Sequence, residues 1–112
     1  MFSRIWLSDG DHCSEIEEQL PLAGTIKRKV RASDDSNLWF LLRLRSPLRY
    51  RGLAYAYALV ASRWVGRSIS YWRETSAFLV LVPDERMPID DGVEIKSLRF
   101  VAWVTCIRSM RA

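Results

Sequence analysis

The chain has 112 residues, of which 49% are hydrophobic and 27% are charged, and its formal net charge is +4. This composition excludes a disordered chain, and the length fits one domain with a single core. Two cysteines and one histidine exclude a structural zinc site, which needs about four ligands.

The cysteines and the N-terminal residues predict the compartment. Cys13 and Cys106 lie far apart, and neither belongs to a Cys-x-x-Cys pair, although one disulfide between them is an open alternative. The first residues lack the apolar core of a signal peptide, and the longest apolar run, 53–61, is much shorter than the roughly 20 residues of a membrane span. We therefore expect a cytoplasmic protein with free thiols, no metal, no cofactor and no membrane contact.

The N-terminal part of the chain predicts a strand and then a short helix. Phe2–Leu7 resembles a first strand, and a turn rich in aspartate follows it. Cys13, Ile16 and Leu20 then recur at the spacing of one helix face, among glutamates that favour a helix N-terminus. Pro21 is expected to end this helix.

A strand with one basic face is predicted next. In Thr25–Arg31, the odd-numbered residues are threonine or basic residues. The even-numbered residues, on the other face, are Ile26, Arg28 and Val30. This pattern is typical of a half-buried or edge strand, and the lysines would discourage pairing with another edge.

The following strand, Leu38–Arg45, has a clearer core face. Its even-numbered residues are leucines and Phe40, whereas its other face begins apolar and ends with Arg43 and Arg45. We expect the even-numbered residues to point into the core and Ser46-Pro47 to break the strand.

Residues 53–64 can be interpreted in two ways. As a helix, Leu53, Tyr57, Val60 and Trp64 would form a stripe, and the alanines favour helix. As a strand, tyrosines and a leucine would alternate with alanines, and Tyr55 would share a face with Tyr57. We favour the strand, because glycines flank the segment on both sides.

The C-terminal part predicts two central strands. Ala77–Val82 is an unbroken apolar run, as in a strand covered on both faces. Pro83–Gly92 is a long acidic turn, and Val93–Arg108 is a final strand with two apolar faces. The fold class is therefore mainly β, with α+β as the alternative: a single domain with a small curved antiparallel sheet or barrel of about six strands and one short N-terminal helix.

The charges are distributed unevenly along the chain. Residues 37–73 contain seven arginines, no lysine and no acidic residue, together with all four tyrosines. Arginine binds phosphate or carboxylate through two parallel hydrogen bonds and stacks on aromatic rings. We expect this block to form one positive surface. The candidate binding residues are Arg43, Arg45, Arg49, Tyr50, Arg51, Tyr55, Tyr57, Arg63 and Arg67.

The favoured hypothesis is a binding module for nucleic acid. Arginines 43, 45, 49 and 51 would contact phosphates, and Tyr50, Tyr55 or Tyr57 would stack on bases. Ser46–Gly52 would be the exposed, basic hairpin tip. Two other hypotheses are an interaction module that docks an acidic protein, as an inhibitor, an immunity factor or a complex subunit does, and a homodimer formed through an exposed edge strand.

Catalysis is the least favoured interpretation. His12 and Cys13 are adjacent, so on a helix they would point about 100° apart, and Cys13 lies on the predicted apolar stripe. The paired carboxylates Asp34-Asp35 and Asp90-Asp91 lie in predicted loops, where turn formation explains them. We therefore expect no catalytic residue.

Overall fold

A computed structural model describes residues 3–11, 13–64 and 66–110 of the chain. It contains six strands, one short α-helix and two single turns of 3-10 helix. These elements are β1 (Arg4–Asp11), α1 (Ser14–Glu17), β2 (Leu22–Arg31), β3 (Leu38–Tyr50), β4 (Leu53–Ser62), β5 (Thr75–Val82), the 3-10 turns Asp84–Arg86 and Ile95–Ser97, and β6 (Arg99–Ser109).

The six strands form a closed antiparallel barrel in sequence order. Each strand pairs with its neighbours along the chain, and β1 closes the barrel by pairing with β6, from Arg4 opposite Ser109 to Asp11 opposite Trp103. The prediction of a mainly-β fold with about six antiparallel strands and one helix is confirmed. The predicted strand within residues 53–64 is also confirmed, as β4.

β2 is half-buried, which is one of the two alternatives that its pattern predicted, and it resembles an edge strand along only part of its length. Residues Leu22 to Thr25 pair with β1, and residues Gly24 to Arg31 pair with β3. Pairing with β1 ends where Arg4 lies opposite Thr25, so the basic half of β2 has no β1 residue beside it. Only this half resembles an edge strand.

Two hydrophobic clusters lie on opposite sides of the barrel wall. The inner cluster fills the barrel, and Phe40, Leu42 and Leu79 are among its fully buried members from β3 and β5. The outer cluster includes Trp39 and Leu59 and is covered by side chains from the connection 83–98. This cover explains why β5 is apolar on both faces, as predicted for Ala77–Val82.

The helix closes part of the inner cluster. Ile16 is fully buried there, and Cys13 and Leu20 pack against it, as the predicted stripe requires. Pro21 follows the turn after α1 and precedes β2, so its predicted role as a helix end is confirmed.

A bulge replaces the predicted end of β3. The strand continues through Ser46-Pro47 to Tyr50, and pairing with β4 is interrupted between Arg43 and Leu48. Proline has no N–H to donate to the ladder, so it produces an unpaired, exposed bulge and not a strand end. The hairpin turn is Arg51-Gly52, where both residues have positive φ angles of 50° and 81°, as the tightest hairpins need.

The same irregularity separates two tyrosines that were expected on one face. Tyr55 belongs to the inner cluster and is 3% exposed, whereas Tyr57 packs on the outer cluster. In the register, β3 residues Arg43 and Leu48 lie opposite Tyr57 and Tyr55, so side-chain alternation is lost between these pairs. The prediction of a shared face for Tyr55 and Tyr57 is therefore wrong.

The final strand is shorter than predicted. It begins at Arg99 and not at Val93, because residues Ile95–Ser97 form a 3-10 turn. Its pairing with both β5 and β1 confirms the predicted central position. A register shift opposite Leu79/Val80 interrupts the pairing with β5, and Phe100 is exposed while Val101 is buried, although both faces of this strand were predicted from their apolar residues.

Candidate functional site

The arginine block does not form one surface. Arg43 and Arg45 lie on the outer side of β3, Arg49 and Arg51 lie at the β3–β4 turn, and the other three arginines (Arg63, Arg67 and Arg73) lie in the connection after β4. The turn precedes β4 and this connection follows it; because β4 has 10 residues, the two segments are roughly 30 Å apart. The prediction of a single positive surface is therefore wrong.

Two arginines of the block contribute to a basic groove. The groove is open, has a volume of about 670 Å³ and crosses three adjacent strands. Its cationic side chains come from all three strands. They are Arg4 of β1, Lys27 of β2, and Arg43 and Arg45 of β3. Only the β3 pair belongs to the arginine block; the structure brings the other two cations beside it.

The floor of the groove is made of small residues of β2. Ala23 and Thr25 line it, between the longer side chains of β1 and β3. Gly24 lies between them, and a side chain at this position would point into the barrel interior. An added Cβ would lie 3.0 Å from Cβ of Leu42. The glycine thus lets β2 and β3 pack closely, and the small floor leaves room for a ligand between the flanking cations.

The position of Arg43 is fixed by a tyrosine on the next strand. Arg43 lies opposite Tyr57 in the ladder and donates a hydrogen bond of 3.0 Å from Nη1 to the tyrosine Oη. Its guanidinium carbon lies 5.5 Å from the ring centroid, within the range of a cation–π contact. Arg45 lies in the exposed bulge, and no residue in the described part of the chain restrains it in this way. Tyr57 therefore serves as a support for Arg43, and not as the free stacking surface that was predicted.

The groove carries uncompensated positive charge. Among the residues that the structure describes, no carboxylate lines the groove, and its four cations form no ion pair. Two carboxylates that contact β2 do so outside the groove: Asp90 pairs with Arg28, and Asp91 accepts a hydrogen bond from the backbone N–H of Arg31. An anion could therefore bind the groove without displacing a protein carboxylate.

The hairpin tip is less free than predicted. The backbone of Arg49 exchanges two hydrogen bonds of 2.7 Å with the side chain of Gln19, and the backbone N–H of Arg51 donates to the Glu15 carboxylate. The ring of Tyr50 has Arg51 at 5.2 Å and Arg99 at 5.9 Å from its centroid. Glu15 therefore places negative charge beside the tip, and Tyr50 is already in contact with cations.

The remaining candidates lie at the other end of the barrel. The Arg63 guanidinium lies 4.1 Å from the centroid of Trp103 and 5.8 Å from that of Trp64, which is 56% exposed. Arg67 and Arg73 line a second, hydroxyl-rich pocket that also contains Glu74. These residues are separated from the groove.

The groups considered for catalysis have structural explanations where they are described. Cys106 is fully buried, and burial raises the pKa of its thiol to about 12. The Asp34 carboxylate accepts hydrogen bonds from the backbone N–H groups of Ile95 and Lys96, which lower its pKa. His12 lies outside the described residues. Cys13 and Cys106 are both free thiols.

The described part of the chain contains no group of three or more histidine, cysteine, aspartate or glutamate side chains suited to a metal ion. Within the same residues, no helix has the length and apolar character that crossing a membrane requires.

Sequence reasoning missed half of the groove. Arg4 lies far from β3 in the chain, and Lys27 belongs to a strand whose basic face was predicted but was not connected with the arginine block. The alternation of Arg4 and Trp6 with Ile5 and Leu7 was the signal that could have placed Arg4 on an outer face. A comparison of this chain with protein-family models, curated proteins and solved structures found no match in any of the three.

Proposed function

We propose that this barrel is a non-catalytic module that binds nucleic acid through the basic groove. The observation that carries the proposal is the convergence of four cations from three strands on one groove without a carboxylate among the described residues. Phosphates spaced along a nucleic-acid strand are anions that such a row of cations binds, and small floor residues let a backbone approach.

Arginine supports this assignment more than lysine would. Three of the four groove cations are arginines, Arg4, Arg43 and Arg45, and a guanidinium binds phosphate with two parallel hydrogen bonds. Arg43 is held in place by Tyr57, so less conformational entropy is lost when it binds a phosphate.

The proposal predicts a definite dependence on salt. Binding of single strands gives a slope of about −0.7 in log K against log salt concentration for each phosphate neutralised. Four contacts therefore predict a slope of about −2.8 for the wild type. Replacing two of the cations, in Arg43→Gln/Arg45→Gln, should reduce the slope to about −1.4 and weaken binding.

Fluorescence anisotropy of a labelled oligonucleotide, titrated at several salt concentrations from about 50 mM, measures both quantities. Arg67→Gln/Arg73→Gln is the matched control, because it removes the same charge from exposed arginines away from the groove. We expect this control to keep most of the wild-type slope. Absence of wild-type binding, or an equal loss in the two double variants, would contradict the proposal.

Docking of an acidic protein is the second candidate. The contacts of Arg63 with Trp64 and Trp103, beside the half-exposed ring of Phe100, support it, because arginine and tryptophan are enriched in binding hot spots. A stoichiometric partner that survives nuclease treatment, and that is lost in Arg63→Ala but retained in Arg43→Gln/Arg45→Gln, would favour this candidate over the groove.

A further inference from the structure

Charge alone does not select among nucleic acids. Phosphates are present on single and double strands alike, so the groove cations give affinity without discrimination. Selection of single strands requires a protein group that binds a feature absent from the surface of a duplex. The exposed face of an unpaired base is such a feature.

One exposed tryptophan lies beside the groove. On β1, the buried Ile5 and Leu7 point into the barrel, so Arg4 and Trp6 point outward on the same face. The register pairs Arg4 with Thr25 and Trp6 with Ala23, and both partners line the groove. Trp6 therefore lies one step along the strand from a groove cation and directly beside the floor.

The ring of Trp6 is open to a ligand. It is 38% exposed, and among the described residues it contacts neither a cation nor another aromatic ring. The tyrosines predicted to stack are committed in other ways, since Tyr55 is buried and Tyr57 holds Arg43. Tyr55 and Tyr57 are therefore not available for stacking, whereas Trp6 is exposed beside the groove.

The spacing across the floor suits one nucleotide. Trp6 on β1 and Arg45 on β3 stand on either side of β2, so about two strand spacings, roughly 10 Å, separate their backbones. Ala23 offers only a methyl group between them. A base can then lie against the indole while its phosphate lies against the arginine.

We propose that the groove prefers single-stranded nucleic acid over a duplex, with Trp6 as the stacking platform for an unpaired base. This inference rests on the proposed function and adds the class of ligand to it. In a duplex each base is already stacked and paired, so the indole gains nothing from it. In a single strand, loss of one stacked base weakens binding about tenfold.

The test compares one oligonucleotide of about twelve nucleotides with its duplex, by anisotropy at about 50 mM salt. The variants are Trp6→Leu, which keeps apolar bulk without a flat ring, and Trp6→Phe, which keeps a smaller ring. The matched control is Trp72→Leu, an exposed tryptophan outside the groove. We expect Trp6→Leu to bind the single strand about tenfold more weakly and the duplex unchanged, Trp6→Phe to be intermediate, and Trp72→Leu to equal the wild type.

The possible outcomes distinguish the stacking role of Trp6 from nucleic-acid binding by the groove. Equal wild-type affinity for single strand and duplex, or an equal loss of both in Trp6→Leu, overturns the role of Trp6 and leaves the groove intact. Absence of wild-type binding to either ligand overturns nucleic-acid binding itself. Circular dichroism of Trp6→Leu and Trp6→Phe shows whether both are folded. If Trp6→Leu is not folded, Trp6→Gln replaces it as the variant without a ring, and wild-type discrimination in Trp6→Gln then overturns the stacking role.

Discussion

The outer cluster should stabilise the fold as strongly as the barrel interior does. Leu59 points away from the barrel axis, yet it is fully buried because the connection 83–98 covers it. Truncation of a buried leucine to alanine removes apolar contact and leaves a cavity, at a cost of about 2 to 5 kcal/mol. We expect Leu59→Ala to lower the free energy of unfolding by about 3 kcal/mol.

Urea denaturation followed by tryptophan fluorescence and far-UV circular dichroism measures this change. Leu79→Ala, in the inner cluster, should cost a similar amount, whereas Leu53→Ala, at a side chain that is 59% exposed, should stay within about 0.5 kcal/mol. A loss below about 1 kcal/mol for Leu59→Ala would refute the reasoning, because the covering connection would then contribute no buried core.

Two further predictions concern titratable groups. Because the folded state lowers the pKa of Asp34, its charged form adds stability above the usual pKa of 3.8, and this stability disappears as the pH falls below that value. Asp34→Asn should therefore lower the melting temperature at pH 7, with a difference that shrinks near pH 3; a difference independent of pH would contradict this. Because burial raises the pKa of Cys106 to about 12, iodoacetamide at pH 8 should alkylate Cys13 in the folded protein and Cys106 only after unfolding, as peptide mass spectrometry will show.

Local patterns in the sequence predicted most strands because side-chain alternation reports burial directly. Leu38–Arg45 and Ala77–Val82 were assigned correctly, including the faces of the first and the double coverage of the second. Alternation fails where a bulge adds residues to one strand, as between Arg43 and Leu48. Counting residues cannot detect such a bulge, so Tyr55 was placed on the wrong face.

The candidate site could be predicted only in part for a related reason. Arg43 and Arg45 were recognised because they share a strand face and lack acidic neighbours in the chain. Arg4, Trp6 and Lys27 join them only through the pairing of β1 with β2 and of β2 with β3, and the register of such pairing leaves no mark in local composition. The pairing of these consecutive strands, and not the density of charge along the chain, determines which cations meet.

The closure of the barrel by β1 and β6 decides how the protein reaches its native state. The β1–β6 ladder joins positions as distant as 4 and 109, so it forms after a large loop has been closed, and folding should take milliseconds to seconds. Until the ladder forms, the sheet has two free edges that can pair with a second molecule. Refolding at high concentration should therefore trap strand-exchanged dimers, and dilution should restore the monomer yield.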